Sequence, residues 1–328
     1  MQNNFPEILP SARIPGTRLP RPTNDLVFKR LMQNNLDALK SLLTAVLQPK
    51  SPIGSITLLP TELQGPHAES KVSRLDLLVR LQDGTLIDIE MQSCREAHFV
   101  KRSLYYTAQV LGSALNRGDP YENLPSLAGI YIFDDAVFPT LPEVHSSFQL
   151  RRAVPDDGFY LQPRPLRLDF IELPKISNLK PEQNPLFSAW VQFLAAKSAE
   201  EMSVSAQTVP EINQLVGELN KMSADKEFID LLNKNEVDRV IAQRANAEAL
   251  RDAKAEGRAE GQEQARKALL ATNRAVLTEK ALISKSEFQS RFGHASLEQL
   301  QDLLIASLKF TSPADHEAWE KSHQNPLP

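Results

Sequence analysis

Residues 73–92, SRLDLLVRLQDGTLIDIEMQ, contain two alternating apolar segments on either side of an Asp-Gly pair, which is the pattern of a β-hairpin. A loop of Asp83 and Gly84 alone would mix polar and apolar side chains on both faces of the paired strands. If the loop also includes Gln82, and Gly84 adopts the left-handed conformation of a bulged turn, one face becomes almost wholly apolar. The sequence therefore predicts this second register. Its cross-strand pairs on the apolar face are Leu81–Thr85, Val79–Ile87, Leu77–Ile89 and Leu75–Met91.

The opposite face of the hairpin brings two carboxylates together. Its cross-strand pairs are Arg74–Gln92, Asp76–Glu90 and Leu78–Asp88. Directly opposed side chains have Cβ atoms about 4.5–5.5 Å apart, so two carboxylates there repel unless a positive charge neutralises them. A neighbouring Arg74, Arg80 or Lys101 could supply that charge. A divalent cation is the alternative, since carboxylate oxygens suit Mg²⁺ or Mn²⁺, and metal-assisted phosphodiester hydrolysis would then follow.

The rest of the sequence excludes several other classes of protein. Only 12 of the 328 residues are glycine, and no G-x-G-x-x-G, G-x-x-x-x-G-K-[ST], H-E-x-x-H or G-x-S-x-G motif occurs. The single cysteine, Cys94, excludes an internal disulfide and fits a reducing compartment, so we expect a cytoplasmic protein. No segment has the roughly 18 apolar residues of a membrane span. A net charge of −4 predicts that any contact with a polyanion is local.

Changes in composition divide the chain into five segments. Residues 1–22 are rich in proline and arginine and indicate a flexible basic arm. Over residues 23–175, helical and strand-like patterns alternate loosely, which predicts a mixed α/β domain. The remaining pattern is almost all helical: an extension over 176–234, a polar, coiled-coil-like stalk over 235–280, and a small helical cap with a loose tail over 281–328.

Five motifs occur in order between residues 24 and 125. They are N-D-x-x-F-K from Asn24, L-D-x-x-V from Leu75, D-G-T-x-I-x-I-E-M-Q from Asp83, F-x-K-R-x-x-Y-Y from Phe99, and an approximate L-x-x-G-x-x-Y-x-x-L-x-P from Leu115. Together they resemble the recombination-promoting nuclease / putative transposase family, a branch of the PD-(D/E)xK nuclease superfamily. The Glu-Gly-rich helical pattern of the stalk is also similar to tails in that family.

The resemblance implies a restriction-endonuclease-like α/β core, with a four-stranded mixed sheet flanked by helices, and metal-dependent DNA cleavage at one edge of that sheet. An all-helical C-terminal region follows the core. By the same resemblance, Asp76 matches the metal-binding aspartate, Glu90 matches the acidic residue of the E-x-K element, and the carbonyl of Met91 is a further ligand. Gln92 stands where the superfamily has lysine. Glutamine can orient a water or a phosphate, but it brings no positive charge.

Four more side chains are candidates for an accessory role: Asp25, Lys29, Lys101 and Arg102. Asp25 is an extra acidic residue for the site or simply a carboxylate favoured at a helix N-terminus. The three basic side chains hold DNA phosphates or lie in solvent on helix surfaces.

These residues lead us to expect a DNA endonuclease that depends on Mg²⁺ or Mn²⁺ and is linked, through the resemblance, to recombination or transposition. Asp76, Glu90 and Gln92 would be its catalytic residues. The alternative is a catalytically silent protein of the same fold that acts as an oligomerising interaction module. The expected partners are DNA and further copies of the chain, which would associate through the C-terminal helices; no membrane partner is expected.

Overall fold

The computed structural model of the protein describes residues 9–63, 73–92, 98–154, 156, 158–161 and 165–323. The chain divides into two compact units, Met1–Asp238 and Arg239–Pro328. None of the helices in the described ranges combines the length and the apolar composition that a bilayer crossing requires.

The first unit is built around a mixed six-stranded sheet. The strands are β1 (Ile56–Leu59), β2 (Glu62–Leu63), β3 (Ser73–Arg74), β4 (Leu77–Leu81), β5 (Leu86–Gln92), β6 (Leu127–Phe133), β7 (His145–Gln149) and β8 (Leu166–Glu172). The order in the large sheet is β1-β4-β5-β6-β8-β7, while β2 and β3 form a separate two-stranded ribbon. β5, β6 and β8 are parallel neighbours, and the other pairings are antiparallel. The mixed sheet confirms the predicted fold class, although it has six strands where the resemblance implied four.

The hairpin of β4 and β5 has the predicted register. Its paired residues are Leu77–Ile89, Leu78–Asp88, Val79–Ile87 and Arg80–Leu86. Gly84 has a φ of +87°, and its N–H donates to the carbonyl of Leu81 at 3.0 Å, as a bulged three-residue loop requires. The first strand of the predicted hairpin is interrupted, because residues 73–74 belong to the ribbon and β4 begins only at Leu77. Leu75 consequently packs with Leu78 on the face opposite to its predicted position.

Helices cover the two faces of the sheet unequally. The larger core contains alternate strand residues together with α1 (Asp25–Asn34), α2 (Leu36–Leu47), α4 (Pro185–Ala195), α5 (Ala199–Thr208) and α6 (Pro210–Ala224). On the other face, Phe99 and Val110 of α3 (Phe99–Gly112) join two smaller apolar clusters. The period of two along each strand sends neighbouring side chains to these opposite faces. The two faces of the buried strands therefore pack against different apolar clusters.

Residues 9–22 pack against the domain, which corrects the expectation of a flexible arm. Ala12 and Ile14 are buried in the main core, and the backbone of Arg13 forms a bridge with that of Pro20. Arg21 forms an ion pair of 3.0 Å with Asp134, which follows β6. The burial of these apolar side chains offsets the entropy lost when a proline-rich segment becomes ordered.

From residue 185 the described chain is almost entirely helical, as predicted. After α6 come α7 (Lys226–Glu279), α8 (Lys285–Phe292), α9 (Leu297–Ser307) and α10 (Pro313–His323). Between residues 241 and 262 of α7, every side chain that the structure describes is exposed.

The second unit has its own apolar cluster, formed by Leu277, Ile283, Phe288, Leu303 and Phe310. Trp319 of α10 packs against this cluster. The tail that the polar composition led us to expect as loose is thus helical up to residue 323. A single tryptophan contributes the apolar contact that the average composition of the tail concealed.

Candidate active site

Asp76 and Glu90 lie together at one end of the β4–β5 hairpin, each bonded to the other strand. The N–H of Asp76 donates to Oε1 of Glu90 at 3.0 Å, and the N–H of Met91 donates to Oδ2 of Asp76 at 2.9 Å. These two bonds replace the backbone pairs that would continue the ladder beyond Leu77, which accounts for where β4 begins. The carboxylates that the register predicted to face each other are therefore neighbours.

The backbone carbonyl of Met91 points to the same end of the hairpin as the two carboxylates. The N–H and C=O of one residue in a strand point to the same side, and the N–H of Met91 donates to Asp76. The carbonyl of Met91 therefore also points to the β4 side of β5, just beyond the start of β4. The carbonyl of Gln92 points the other way and accepts from the N–H of Asp134 at 3.0 Å. Asp76, Glu90 and the Met91 carbonyl thus converge on one end of the hairpin.

Neither carboxylate is neutralised by a salt bridge within the described residues. Arg80 and Lys101, two of the side chains considered for that role, form no ion pair with Asp76 or Glu90 in this part of the chain. The side chain of the third, Arg74, lies outside what the structure describes. Each carboxylate uses one oxygen on a backbone N–H, and these are its only hydrogen bonds in the described chain.

Burial changes the ionisation of both carboxylates. Desolvation of the charged form raises the pKa of Asp76 to about 6 and that of Glu90 to about 9. Repulsion by Asp76 contributes further to the high pKa of Glu90. Acting in the opposite direction, the Met91 N–H bond and the positive charge of Arg102 lower the pKa of Asp76. Without a counter-charge in contact, the pair therefore tends to retain protons.

This arrangement fits a divalent cation. The buried Glu90 carboxylate adjoins the half-buried Asp76 carboxylate, no ammonium or guanidinium group of the described chain pairs with them, and a backbone carbonyl points towards them. Within the described ranges no group of three or more His, Cys, Asp or Glu residues is arranged to hold a metal ion. A cation would therefore be held by two carboxylates, the Met91 carbonyl and non-protein ligands, which is a common mode of Mg²⁺ binding.

Two accessory candidates approach the carboxylates from α1. Asp25 and Lys29 are one turn apart on that helix, and their charges act on Asp76: Asp25 raises its pKa and Lys29 lowers it. Asp25 also accepts a hydrogen bond from Nδ2 of Asn235 at 3.3 Å, so α7 helps to fix its position. The structure thus brings both α1 residues into the electrostatic neighbourhood of Asp76.

The two accessory candidates on α3 differ from each other. Nη2 of Arg102 donates to Oε1 of Gln92 at 2.6 Å. Arg102 therefore lies beside Gln92, which occupies the third position of the site after Asp76 and Glu90. Lys101 is exposed, and none of its described contacts joins it to Asp76, Glu90 or Gln92. Neighbouring residues on a helix point about 100° apart, which accounts for the difference.

Asp88 is a third buried carboxylate beside the site, and no role for it was inferred from the sequence. It lies two residues before Glu90 on the same face of β5, and burial raises its pKa to about 7. Its Oδ2 accepts from the Tyr131 hydroxyl at 3.1 Å, while its Oδ1 has no partner in the described chain. The same hydroxyl lies 2.9 Å from Oγ1 of Thr107 and 3.1 Å from the Ser103 carbonyl on α3. Strand periodicity was the available signal, since it places residues 88 and 90 on one face.

A model of the PD-(D/E)XK nuclease family transposase matches residues 22–245 of the chain. Searches of curated proteins and of solved structures give no significant match. The matched range contains the whole sheet and every candidate site residue. Nucleases of the PD-(D/E)XK type generally use divalent metals, which agrees with the acidic site, and the match supports a nuclease-like or transposase-like function. Since it covers more than half of the sequence, the chain belongs to the PD-(D/E)XK nuclease family of transposases.

Proposed function

We propose that the protein is an endonuclease that hydrolyses phosphodiester bonds in DNA and depends on Mg²⁺ or Mn²⁺. The observation that carries this proposal is the reciprocal bonding of Asp76, Glu90 and the Met91 N–H, which holds a half-buried and a buried carboxylate together at one end of the hairpin. Family membership supports the reaction class and suggests a role in recombination or transposition. The single cysteine favours a cytoplasmic location.

In this proposal Asp76, Glu90 and the Met91 carbonyl hold the cation. When bound, the cation lowers the pKa of a water and stabilises negative charge on the phosphate. Gln92 orients the attacking water, since its amide can both donate and accept a hydrogen bond. The bond from the water oxygen to phosphorus forms as the bond from phosphorus to the leaving sugar oxygen breaks.

DNA binding in this proposal relies on a few local positive charges, because the whole chain has a net charge of −4. Lys29 lies close enough to act on Asp76, so it is placed to hold a phosphate next to the scissile one. Lys101 is exposed on α3 and would contact the backbone farther along the duplex. Both contacts predict binding that weakens as salt concentration rises.

Nicking of supercoiled plasmid DNA tests the proposal. The most informative variants are Asp76→Asn and Glu90→Gln, because each keeps an oxygen that can accept the backbone N–H bond and removes only the charge. We expect the wild-type protein to nick the plasmid with Mg²⁺ or Mn²⁺ and to stop when the metal is chelated. Each variant should be slower by a factor of about 10² or more.

The matched control is Glu122→Gln, which neutralises an exposed carboxylate that is not a candidate site residue and should nick at the wild-type rate. Circular dichroism and thermal melting establish that all variants are folded. Equal rates for Asp76→Asn and wild type, or nicking that persists in excess chelator, would contradict the proposed metal-dependent site.

A second candidate function is that of a catalytically silent interaction module. Two observations favour it: Gln92 replaces the usual lysine, and residues 241–262 of α7 expose every side chain that the structure describes. Under either function we infer that copies of the chain associate through the C-terminal helices. A folded protein that cleaves no plasmid with Mg²⁺, Mn²⁺ or Ca²⁺ between pH 6 and 9 would support the module and contradict the nuclease.

A further inference from the structure

Gln92 is joined to a positive charge that comes from a different element. Nη2 of Arg102, in the first turn of α3, donates to Oε1 of Gln92 at the end of β5, and the distance is 2.6 Å. A hydrogen bond from a charged donor is shorter and stronger than one between neutral groups. The third position of the site is therefore a glutamine whose oxygen is bonded to a guanidinium group.

Aromatic rings fix the position of the Arg102 guanidinium. Its central carbon lies 4.5 Å from the centre of the Phe99 ring and 5.7 Å from that of Tyr106. Phe99 is itself buried and packs edge-on against Tyr131 and Phe133, with ring centres 5.8 and 4.7 Å away. Cation–π contacts of this kind hold a guanidinium in place without neutralising its charge. The charge beside Gln92 is thus prepositioned by the core of the domain.

The same charge acts on both carboxylates without pairing with either. Arg102 lowers the pKa of Asp76 and of Glu90, which places its charge within electrostatic reach of both. No ion pair joins Arg102 to Asp76 or Glu90 within the described residues, and Nη2 of Arg102 donates to Gln92. The guanidinium is therefore close to the expected position of the phosphate and does not occupy the carboxylates.

We propose that Arg102, held against Gln92, supplies the positive charge that the third position of this site lacks, and that it stabilises the negative charge developing on the scissile phosphate. This inference rests on the proposed nuclease function and names the group that carries the charge. Glutamine alone cannot do so, whereas a guanidinium presents N–H donors in a plane that matches phosphate oxygens. Lys101, the adjacent cation, is exposed, and within the described residues the hydrogen bond to Gln92 comes from Arg102 and not from Lys101.

The test is a charge-relocation experiment in the full-length protein. Single-turnover nicking is measured for wild type, Arg102→Ala, Arg102→Gln, Arg117→Ala, Gln92→Lys and the double variant Gln92→Lys/Arg102→Ala. We expect Arg102→Ala to slow nicking by about 10²–10³-fold, which is typical for removal of a transition-state donor. Arg117→Ala, which removes an exposed guanidinium outside the site, should stay within about threefold of wild type. The double variant should recover at least tenfold over Arg102→Ala, because lysine at position 92 restores the charge.

Binding provides a second readout that a merely structural role would not reproduce. Fluorescence anisotropy with duplex DNA and Ca²⁺ should give Arg102→Ala an affinity within about threefold of wild type, since the charge acts mainly on the transition state. If the affinity falls by the same factor as the nicking rate, Arg102 is only a phosphate-binding residue and the inference is overturned. Thermal melting identifies any variant that fails to fold, and Arg102→Gln, which keeps a polar side chain without the charge, then replaces Arg102→Ala in the comparison.

Parallel measurements on Asp76→Asn separate this inference from the proposed function. If Asp76→Asn is inactive and Arg102→Ala is as fast as wild type, the nuclease proposal stands and the role of Arg102 falls. If lysine at position 92 fails to rescue Arg102→Ala although Gln92→Lys alone is active, relocation of the charge is refuted. If the folded wild-type protein cleaves nothing, both proposals fail together.

Discussion

Asp88 shows how the environment of a single residue can make stability depend on pH. It is completely buried, and its Oδ1 has no partner in the described chain. Burial raises its pKa to about 7, whereas an unfolded aspartate titrates near pH 4. The folded state therefore binds this proton more tightly than the unfolded state. The free energy of unfolding should consequently fall as pH rises from about 4 to about 7.

We predict that Asp88→Asn stabilises the metal-free protein at pH 8 by about 1–3 kcal/mol, because asparagine fills the same space without a buried charge. Near pH 4 the difference should vanish or reverse, since Asp88 is then neutral in the folded state and only about half ionised in the unfolded state. Urea denaturation at the two pH values measures the effect. Glu122→Gln, which neutralises an exposed carboxylate, should change the free energy of unfolding by the same small amount at both pH values. An Asp88→Asn protein that is less stable at pH 8 would show that Asp88 is ionised and compensated in the folded state.

Glu90 makes a corresponding prediction for metal affinity. Its pKa is raised to about 9, so at neutral pH a cation must displace its proton. Calorimetric titration with Mn²⁺ at pH 7.5, in buffers of different ionisation enthalpy, should detect the release of about one proton per ion bound. The apparent affinity should rise nearly tenfold for each pH unit between about 6 and 9. Glu90→Gln should bind weakly and release no proton, and proton-independent binding by the wild-type protein would contradict the assignment.

At the scale of the elements, the hairpin was predictable because two constraints agreed. The alternation of Val79, Ile87 and Ile89 demanded one apolar face, and Gly84 allowed the left-handed turn that this register needs. The break before β4 was not predictable from periodicity, since it depends on the Asp76 carboxylate accepting a backbone N–H from β5. Sequence patterns distinguish only apolar from polar side chains. They do not predict that a carboxylate will take the place of a backbone carbonyl as a hydrogen-bond acceptor.

Contact between α3 and the sheet depends on the absence of a side chain at Gly129. A Cβ there would lie 2.7 Å from the Tyr131 ring, whose hydroxyl reaches Asp88 and α3. We predict that Gly129→Ala displaces Tyr131 and lowers the free energy of unfolding by about 1–3 kcal/mol. Gly112→Ala is the matched control. Among the described residues, no atom other than those of its chain neighbours and its own helix backbone lies within 4 Å of the new Cβ, so urea denaturation should show unchanged or increased stability. Equal stability of the two variants would exclude steric selection at position 129.

At the scale of the whole molecule, the predictions made from composition were least accurate near the two ends of the described chain. Residues 9–22 and 313–323 are polar or proline-rich, yet Ile14 and Trp319 each anchor their segment to an apolar cluster. One buried side chain contributes about 1.5–3 kcal/mol, which can order a short segment without changing its average composition. The ends of a chain are therefore better judged by individual apolar residues than by their mean hydropathy.

The exposed part of α7 provides the prediction for assembly. Ile241 and Leu250 are 60% and 68% exposed, and a long polar helix of this kind gains stability from association. We predict that Ile241→Glu/Leu250→Glu lowers the oligomeric mass measured by light scattering and leaves the melting of the first unit intact. Tyr121→Glu, which adds a negative charge at an exposed residue of the first unit, should not change the mass. An unchanged mass for the double variant would place the association elsewhere.

The crossed bonds at the start of β4 give each acidic residue two duties. Asp76 accepts a hydrogen bond from a backbone N–H of β5, and Glu90 accepts one from the N–H of Asp76. These two N–H groups keep their partners only while both acceptor oxygens are present. Selection for a soluble protein and selection for DNA cleavage would then both preserve oxygen-bearing side chains at positions 76 and 90. A descendant that had lost its chemistry would still keep oxygen-bearing side chains there, and the charge at positions 76 and 90, rather than the presence of a polar residue, would be what distinguishes a working enzyme from a relic.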